Sequence, residues 1–419
     1  MDENERRFFS GVDWATEKHD VWVSDDRGEM LGKKTFAHSG TGLVEMQDFI
    51  LSVTKSTPDK VLVAIEVPYG PVVESLIERG FRVHSINPKQ LDRFRDRFSP
   101  AGAKDDSRDA NVLGDSLRTD PQCFRPLAPL DPVVIELREW SRMAEELTAE
   151  RTALANRLRQ QLWRYYPQML ELTGDIAANW FLELWAMMPT PDKAKRTRED
   201  TVSRLLRRHR IRRFDAGEVL AILRKPPLTV AAGTTEAATG HIKLLAKRLE
   251  LVNRQIADAE HQLDQLTDRL AGTEDGEPGQ NQEQRDATIL RSLPGVGRMV
   301  VATLLTEAPE PIQRGEYQAL RCLTGVAPVT KKSGKRKIVV RRLAVNERLA
   351  NALFHWARVA IQYDPISRAK YDALRQRGHG HARALRSVGD RLLGVACAML
   401  KSRTVFDPQR ARQEAIHAA

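Results

Sequence analysis

The sequence is poor in cysteine. It has three in 419 residues, Cys123, Cys322 and Cys397, far apart and odd in number. That argues against a disulfide framework or a zinc knuckle and reads instead as buried thiols. The chain also lacks any apolar run approaching the length of a membrane-spanning helix, and its first residues, MDENERRFF, have no apolar signal-peptide core. A cytoplasmic, nucleoid-associated protein with no membrane partner is expected. Positive charge is plentiful. Lys and Arg number 66 against 56 Asp and Glu, giving a net charge of +10 and a pI of about 9.6. That excess favours a polyanionic partner, nucleic acid before a membrane surface. The hydrophobic content of 41% is ordinary for a globular protein, and 419 residues exceed one ordinary core, so two or three domains are expected.

The N-terminal stretch alternates like strands. FFSGVDWA (8–15), HDVWVS (19–24) and Met30 to Ala37 read as three strands, with Asp25-Asp26-Arg27-Gly28 as a turn. VLVAIEV (61–67) is a nearly continuous apolar run, as expected of a central strand buried on both faces. Helical and extended segments then alternate to about residue 97. A meander followed by β/α alternation predicts an α/β domain with a mixed sheet.

Acids recur at the ends of these elements. Asp13 lies near the end of the first strand and Glu66 next to the end of the central one. Lys104-Asp105-Asp106-Ser107-Arg108-Asp109-Ala110 opens a helix, and Asp106 and Asp109, three apart, share one helical face. Four carboxylates converging from two strands and a helix would form an oxygen-rich cage suited to Mg²⁺ or Mn²⁺. A two-metal cage positions and activates phosphodiester oxygens. Taken singly, each acid has a plainer reading as a strand or helix cap.

Pro126 to Pro132 is proline-rich and marks a boundary. Val134 to Tyr166 is a long charged helix. Residues 170–235 form a less regular helical insert whose arginines, Arg204 to Arg213, are either a solvated face or a nucleic-acid contact. From Ile242 to Leu270 apolar residues recur at steps of three and four, a heptad seam of about four heptads. It fits a hairpin with the 134–166 helix, a dimer, or both. The predicted organisation is 1–128 α/β and metal-binding, 129–280 helical with the coiled coil and insert, 281–405 a mainly α domain, and 406–419 a tail.

Leu293-Pro294-Gly295-Val296-Gly297 between two helical stretches makes a helix-hairpin-helix pattern, whose glycines, Gly295 and Gly297, would offer backbone N–H groups to a phosphate. Further on lies Ala327-Pro-Val-Thr-Lys-Lys-Ser333-Gly334-Lys335-Arg336-Lys337. Ser333 sits among Lys331, Lys332, Lys335, Arg336, Lys337, Arg341 and Arg342, with no acid interrupting. Serine becomes a nucleophile where its surroundings stabilise the developing charge, and cations with a permissive glycine, Gly334, suit a phosphate. The plainer reading is a solvated basic loop.

In order, Asp13, Glu66 in AIEVPYG, KDDSRDA (104–110), the coiled coil, SLPGVG and GVAPVTKKSGK resemble the insertion-sequence one-ten family of transposases, the DEDD serine-type recombinases. The resemblance covers nearly the whole chain. It implies a RuvC-like N-terminal domain on a ribonuclease H-type fold, with Asp13, Glu66, Asp106 and Asp109 as ligands of Mg²⁺ or Mn²⁺. The family register and the i, i+3 spacing favour Asp106 over Asp105. It implies Ser333 as the nucleophile, forming a covalent serine–DNA intermediate. It further implies a guide non-coding RNA pairing with element-end and target DNA, and a homodimer that pairs into a tetramer. Where many relatives have Gly-Asn after the serine segment, this chain has Val345-Asn346. Besides Ser333 and the acids, Lys331, Lys332, Gly334, Lys335, Arg336, Arg341, Arg342, Gly295 and Gly297 are candidates for nucleic-acid contact. The competing expectation is a metal-dependent, structure-selective nuclease in which Ser333 only binds.

Overall fold

The computed structural model describes residues 7–98, 106–127, 129, 131–271, 282–334 and 336–408. The side chains of Asp106 and Arg336, and all of Lys104, Asp105 and Lys335, lie outside the described residues. The chain forms two compact units, Met1–Leu130 and Asp131–Ala419.

The first unit is a six-stranded mixed sheet between helices. β1 (Phe8–Trp14), β2 (Lys18–Ser24) and β3 (Met30–Ala37) form the expected antiparallel meander. The turn between β2 and β3 is set locally. The Asp25 carboxylate accepts from the backbone N–H groups of Arg27 (3.0 Å) and Glu29 (2.9 Å), and Gly28 takes a φ of +88°. After α1 (Gly40–Thr54), β4 (Val61–Ile65) adds parallel to β1, with Phe8 opposite Val61 and Val12 opposite Ile65. After α2 (Pro71–Glu78), β5 (Arg82–Ser85) continues parallel to β4, and α3 (Pro88–Phe98) and α4 (Asp106–Thr119) follow. The two-residue β6 (Arg125–Pro126) closes the edge antiparallel to β5, giving the order β3-β2-β1-β4-β5-β6.

Strand alternation sorts the sheet into two cores. Val12, Val21, Val63 and Ile65 meet Met46 and Ile50 of α1 and Val72 and Leu76 of α2. On the other face Phe9, Leu62 and Ala64 meet Leu91 of α3 and Val112, Leu113 and Leu117 of α4. Both faces of β4 are buried, as its unbroken apolar run requires. On that second face α4 lies directly on β1 because neither surface has a side chain at the crossing. A Cβ on Gly11 would stand 1.8 Å from the Ala110 carbonyl oxygen and 2.6 Å from the Gly114 nitrogen.

The second unit is helical apart from one hairpin. Asp131 accepts from the Val133 N–H (2.7 Å) and Pro132 occupies the first turn, so the proline-rich boundary ends as the cap of α5 (Pro132–Tyr165). The insert holds α6 (Asn179–Met187), α7 (Pro191–Arg196), α8 (Glu199–Arg208) and α9 (Ala216–Leu223), and the chain returns along α5 as α10 (Thr234–Ala271). The two long helices run antiparallel, with Arg151 bonded to Asn253 (2.8 Å), Arg248 to Glu150 (3.0 Å) and Arg269 3.7 Å from Glu136. Ile242, Leu245, Leu249 and Val252 of the heptad seam are buried with Leu154, Leu158 and Leu162 and with insert residues such as Trp180, Phe181 and Leu206. The seam is therefore filled from within the chain.

The rest is α11 (Gln282–Ser292), α12 (Arg298–Glu307), α13 (Pro309–Gln313), α14 (Tyr317–Leu323), the hairpin β7 (Val329–Ser333) and β8 (Arg336–Val340), then α15 (Glu347–Tyr363), α16 (Pro365–Gln376) and α17 (His381–Ser402). Trp356 of α15 is fully buried and donates from its indole nitrogen to the Pro294 carbonyl at 2.9 Å. No helix among the described residues is long and apolar enough to cross a membrane.

Candidate functional site

Asp13 follows Phe9 and Gly11 on the α3/α4 face of β1, one residue past the Val12–Ile65 pair. Glu66 holds the matching place after Ile65 on β4. Asp109, in the first turn of α4, is buried. One side chain gathers two of these acids. Arg95 of α3 donates from Nε to Asp109 Oδ1 at 2.8 Å and from Nη2 to Asp109 Oδ2 at 2.9 Å. The same Nη2 lies 3.8 Å from Glu66 Oε2, and Nη1 lies 2.6 Å from Asp92 Oδ1. Partial burial opposes the arginine charge, but the Asp109 hydrogen bonds and the Asp109, Asp92 and Glu66 charges outweigh it, so its pKa rises above the ordinary value. Asp109 and Glu66 thus sit at one end of the sheet, beside the chain position of Asp13.

All these donors are carboxylate oxygens, the kind that suits a hard divalent cation. Among the described residues, though, no group of three or more His, Cys, Asp or Glu side chains stands poised to hold a metal. Asp109 and Glu66 face a guanidinium.

The serine stretch forms an exposed β-hairpin. Ser333 pairs with Arg336 as the last register pair before the turn, and Gly334 has φ +55°, the left-handed region that glycine tolerates. Lys332 stands directly opposite Lys337. Like charges in that relation are destabilising, and an isolated two-stranded hairpin is marginal in water. Ile338 and Val339 are exposed as well. At its base Arg386 of α17 is half-buried, and burial together with the neighbouring Arg341 and Arg383 charges presses its pKa below the usual arginine value. Arg342 donates from Nε to the Ala327 carbonyl at 3.4 Å.

The two ends of the hairpin segment are pinned together. A Cβ on Gly325 would lie 2.6 Å from Val345 Cγ1, and the Asn346 N–H donates to the Leu323 carbonyl at 2.9 Å. Val345 covers Gly325. Asn346 caps α15 through Oδ1, accepting from Leu349 N–H at 3.1 Å, while its Nδ2 donates to Glu307 Oε2 at 3.1 Å. Glu307 also meets Arg142 and Arg348, each at 3.2 Å. Asn346→Ala is expected to lower stability by about 1–2 kcal/mol, the usual loss for an N-cap, read as a shift in denaturant midpoint. Asn346→Ser, which keeps a capping oxygen, recovers most of it.

In the turn at 293–297, Gly295 is packed against a neighbouring helix while Gly297 is exposed. Gly295 has φ +78° and a Cβ there would stand 2.7 Å from the Ala360 nitrogen, so glycine is required by contact with α15. Gly297 is the N-cap of α12 and borders a pocket of about 230 Å³ shared with Asp264, Asp268, Arg291 and Arg298. Arg291 pairs with Asp268 (2.6 Å) and Arg298 with Asp264. In the insert, Arg208 pairs with Glu183 at 2.5 Å and Arg213 lies over the Trp180 ring, which uses up part of that basic cluster.

Two transposase family models match the chain. One covers residues 10–167, spanning Asp13, Glu66, Asp106 and Asp109, and the other, for the IS116/IS110/IS902 family, covers residues 287–372, spanning Gly295, Gly297 and Ser333. The mini-circle candidate transposase for IS117 of Streptomyces coelicolor is 32% identical over 426 residues, covering all of both chains. The chain belongs to the IS110 family of transposases. A candidate transposase of Sinorhizobium fredii, y4uE, is 60% identical over 214 residues, 51% of this chain and 60% of that protein. A 42 kDa protein of the insertion element IS900 from Mycobacterium paratuberculosis is 25% identical over 410 residues, 96% of this chain and 97% of its own. Transposases cleave and rejoin DNA strands, so family membership carries DNA as the substrate class.

Sequence reasoning missed Arg95. It reads as one charge among several on a polar helix, and only its partners from α4 and β4 single it out.

Proposed function

We propose that this IS110-family transposase cleaves and rejoins DNA through Ser333, with the carboxylates of the first unit acting at the same step and a non-coding RNA selecting the sequences joined. The observation that carries this reading is the place of Ser333 at the tip of an exposed hairpin, opposite Arg336 and next to the Lys332–Lys337 pair. Such a hydroxyl is accessible to a duplex backbone, and the cations around it favour the charge that develops at phosphorus. Ser333 Oγ bonds to the phosphorus, the bond to one deoxyribose oxygen breaks, and the serine proton is passed on to that leaving oxygen. The serine phosphodiester keeps the bond energy, so attack by a new DNA hydroxyl rejoins the strand and frees the serine.

In this reading Asp13, Glu66, Asp106 and Asp109 would hold Mg²⁺ or Mn²⁺, which when bound polarises the scissile phosphate. Lys331, Lys332, Lys335, Arg336, Arg341 and Arg342 hold the DNA backbone, and Arg386 joins them at the hairpin base. A RuvC-like fold on the ribonuclease H plan is supported by the strand order and by acids at the ends of adjacent parallel strands. Guidance by RNA is supported by a net charge of +10 without an evident base-reading motif, since base pairing can carry sequence choice. A homodimer, and a tetramer on paired duplexes, would bring the carboxylates of one copy to the serine of another. The exposed Trp163 of α5 and Leu244 and Leu251 of α10, the last two one heptad apart, leave an outer face for a second copy.

The second reading, a metal-dependent nuclease in which Ser333 only binds, is favoured by the gathering of Asp109 and Glu66 within the first unit alone. Product ends separate the two. With labelled element-end DNA, the flanking RNA and Mg²⁺, the recombinase gives protein-linked DNA on a denaturing gel, lost in Glu66→Gln. Free ends, at a yield undiminished in Ser333→Ala, would establish the nuclease.

A further inference from the structure

We propose that Arg95 is an internal counter-ion that holds the carboxylate site closed, so that a divalent cation enters only by displacing the guanidinium from between Asp109 and Glu66. This rests on the reading of those acids as metal ligands.

The geometry is specific. A single nitrogen, Nη2, lies 2.9 Å from Asp109 Oδ2 and 3.8 Å from Glu66 Oε2. A cation coordinated by both oxygens, at the roughly 2.1 Å of a Mg²⁺–oxygen bond, needs the space that nitrogen fills. The second prong, Nε to Oδ1, engages the other Asp109 oxygen as well. A planar two-pronged guanidinium–carboxylate pair in a partly buried site is among the stronger polar contacts a protein makes, and like charge forbids a metal beside it.

Arg95 also has somewhere to go. Asp92 lies one turn earlier on α3, 2.6 Å from Nη1, with its side chain 67% exposed. The guanidinium can swing outward while keeping that contact. The carboxylates then always face a cation, the singly charged arginine at rest and the doubly charged metal when loaded. The displaced arginine stands at the rim as a cation for the incoming phosphate. A wholly structural arginine predicts the opposite behaviour, since orienting Asp109 would help a metal to bind.

The test is Mn²⁺ binding to the full-length, DNA-free protein, followed by the loss of the free-ion electron paramagnetic resonance signal. Arg95→Gln is expected to bind Mn²⁺ more tightly than the unmodified protein, on the order of tenfold, the scale of one charge-assisted interaction removed. Arg95→Lys keeps the charge and the fold but cannot grip both Asp109 oxygens, so its affinity falls between the two. Adding Asp109→Asn to Arg95→Gln removes the gain. Unchanged or weaker binding in both Arg95 variants overturns the proposal and makes Arg95 a positioning residue for Asp109. Mn²⁺ binding insensitive to Asp109→Asn and to Glu66→Gln overturns the metal reading itself, and this proposal with it.

Discussion

Replacing Ser333 with alanine is expected to abolish strand joining, with activity falling on the order of 10⁴-fold or more, as when a nucleophile is removed from a concerted site. Folding should be untouched. Ser333 is exposed at a hairpin tip and contributes to no core, so the change lies in the class of surface substitutions worth about ±0.5 kcal/mol. DNA retention should also persist, because Lys331, Lys332, Arg341 and Arg342 remain. The separation matters: a serine that merely helped to bind DNA would lose affinity and activity together. Excision or recombination of an element-bearing plasmid, measured beside a filter-binding isotherm, distinguishes the two.

The second large effect belongs to Gly11. Gly11→Ala is expected to destabilise the first unit by about 3 kcal/mol or more, because the new methyl would meet backbone and no side-chain rotation relieves it. The obstacle is the Ala110 carbonyl oxygen, 1.8 Å from the added carbon, with the Gly114 nitrogen at 2.6 Å. Either α4 lifts from β1 or the sheet deforms. If α4 lifts, Asp109 moves away from Glu66, so divalent-cation binding should weaken in whatever protein remains folded. Gly40→Ala, where an added Cβ meets nothing within 4 Å, is the matched control and should change stability little. A Gly11→Ala protein as stable as the control would refute the close helix–strand contact.

These two positions mark how far the sequence could be read. The meander was legible because β1, β2 and β3 alternate, and β4 because it is apolar throughout. Glycine at 11 looks like any strand glycine, since the backbone that demands it, at Ala110 and Gly114, is far away in the chain. The serine hairpin was hidden for a related reason. Val-Thr-Lys-Lys-Ser has almost no apolar alternation because β7 has no core to face, so it read as a basic loop. The heptad seam was plain, but its periodicity could not say whether the facing helix came from the same chain. The structure supplies α5 and the insert. The acids' order was visible, and so was the i, i+3 relation of Asp106 and Asp109. Arg95 was not, because an ion pair spanning three elements leaves no local pattern. Gly295 carried a phosphate-binding expectation from its motif, and the structure adds a packing reason for glycine there, the approach of Ala360.

The most direct test of the account is to find where the DNA is attached. The protein would be reacted with element-end DNA, its flanking RNA and Mg²⁺, denatured, digested with nuclease and protease, and analysed by mass spectrometry. A nucleotide adduct on Ser333, absent when Asp109→Asn protein is used, is the predicted result. Cleaved DNA with no adduct on any residue, or an adduct on a different side chain, would contradict it.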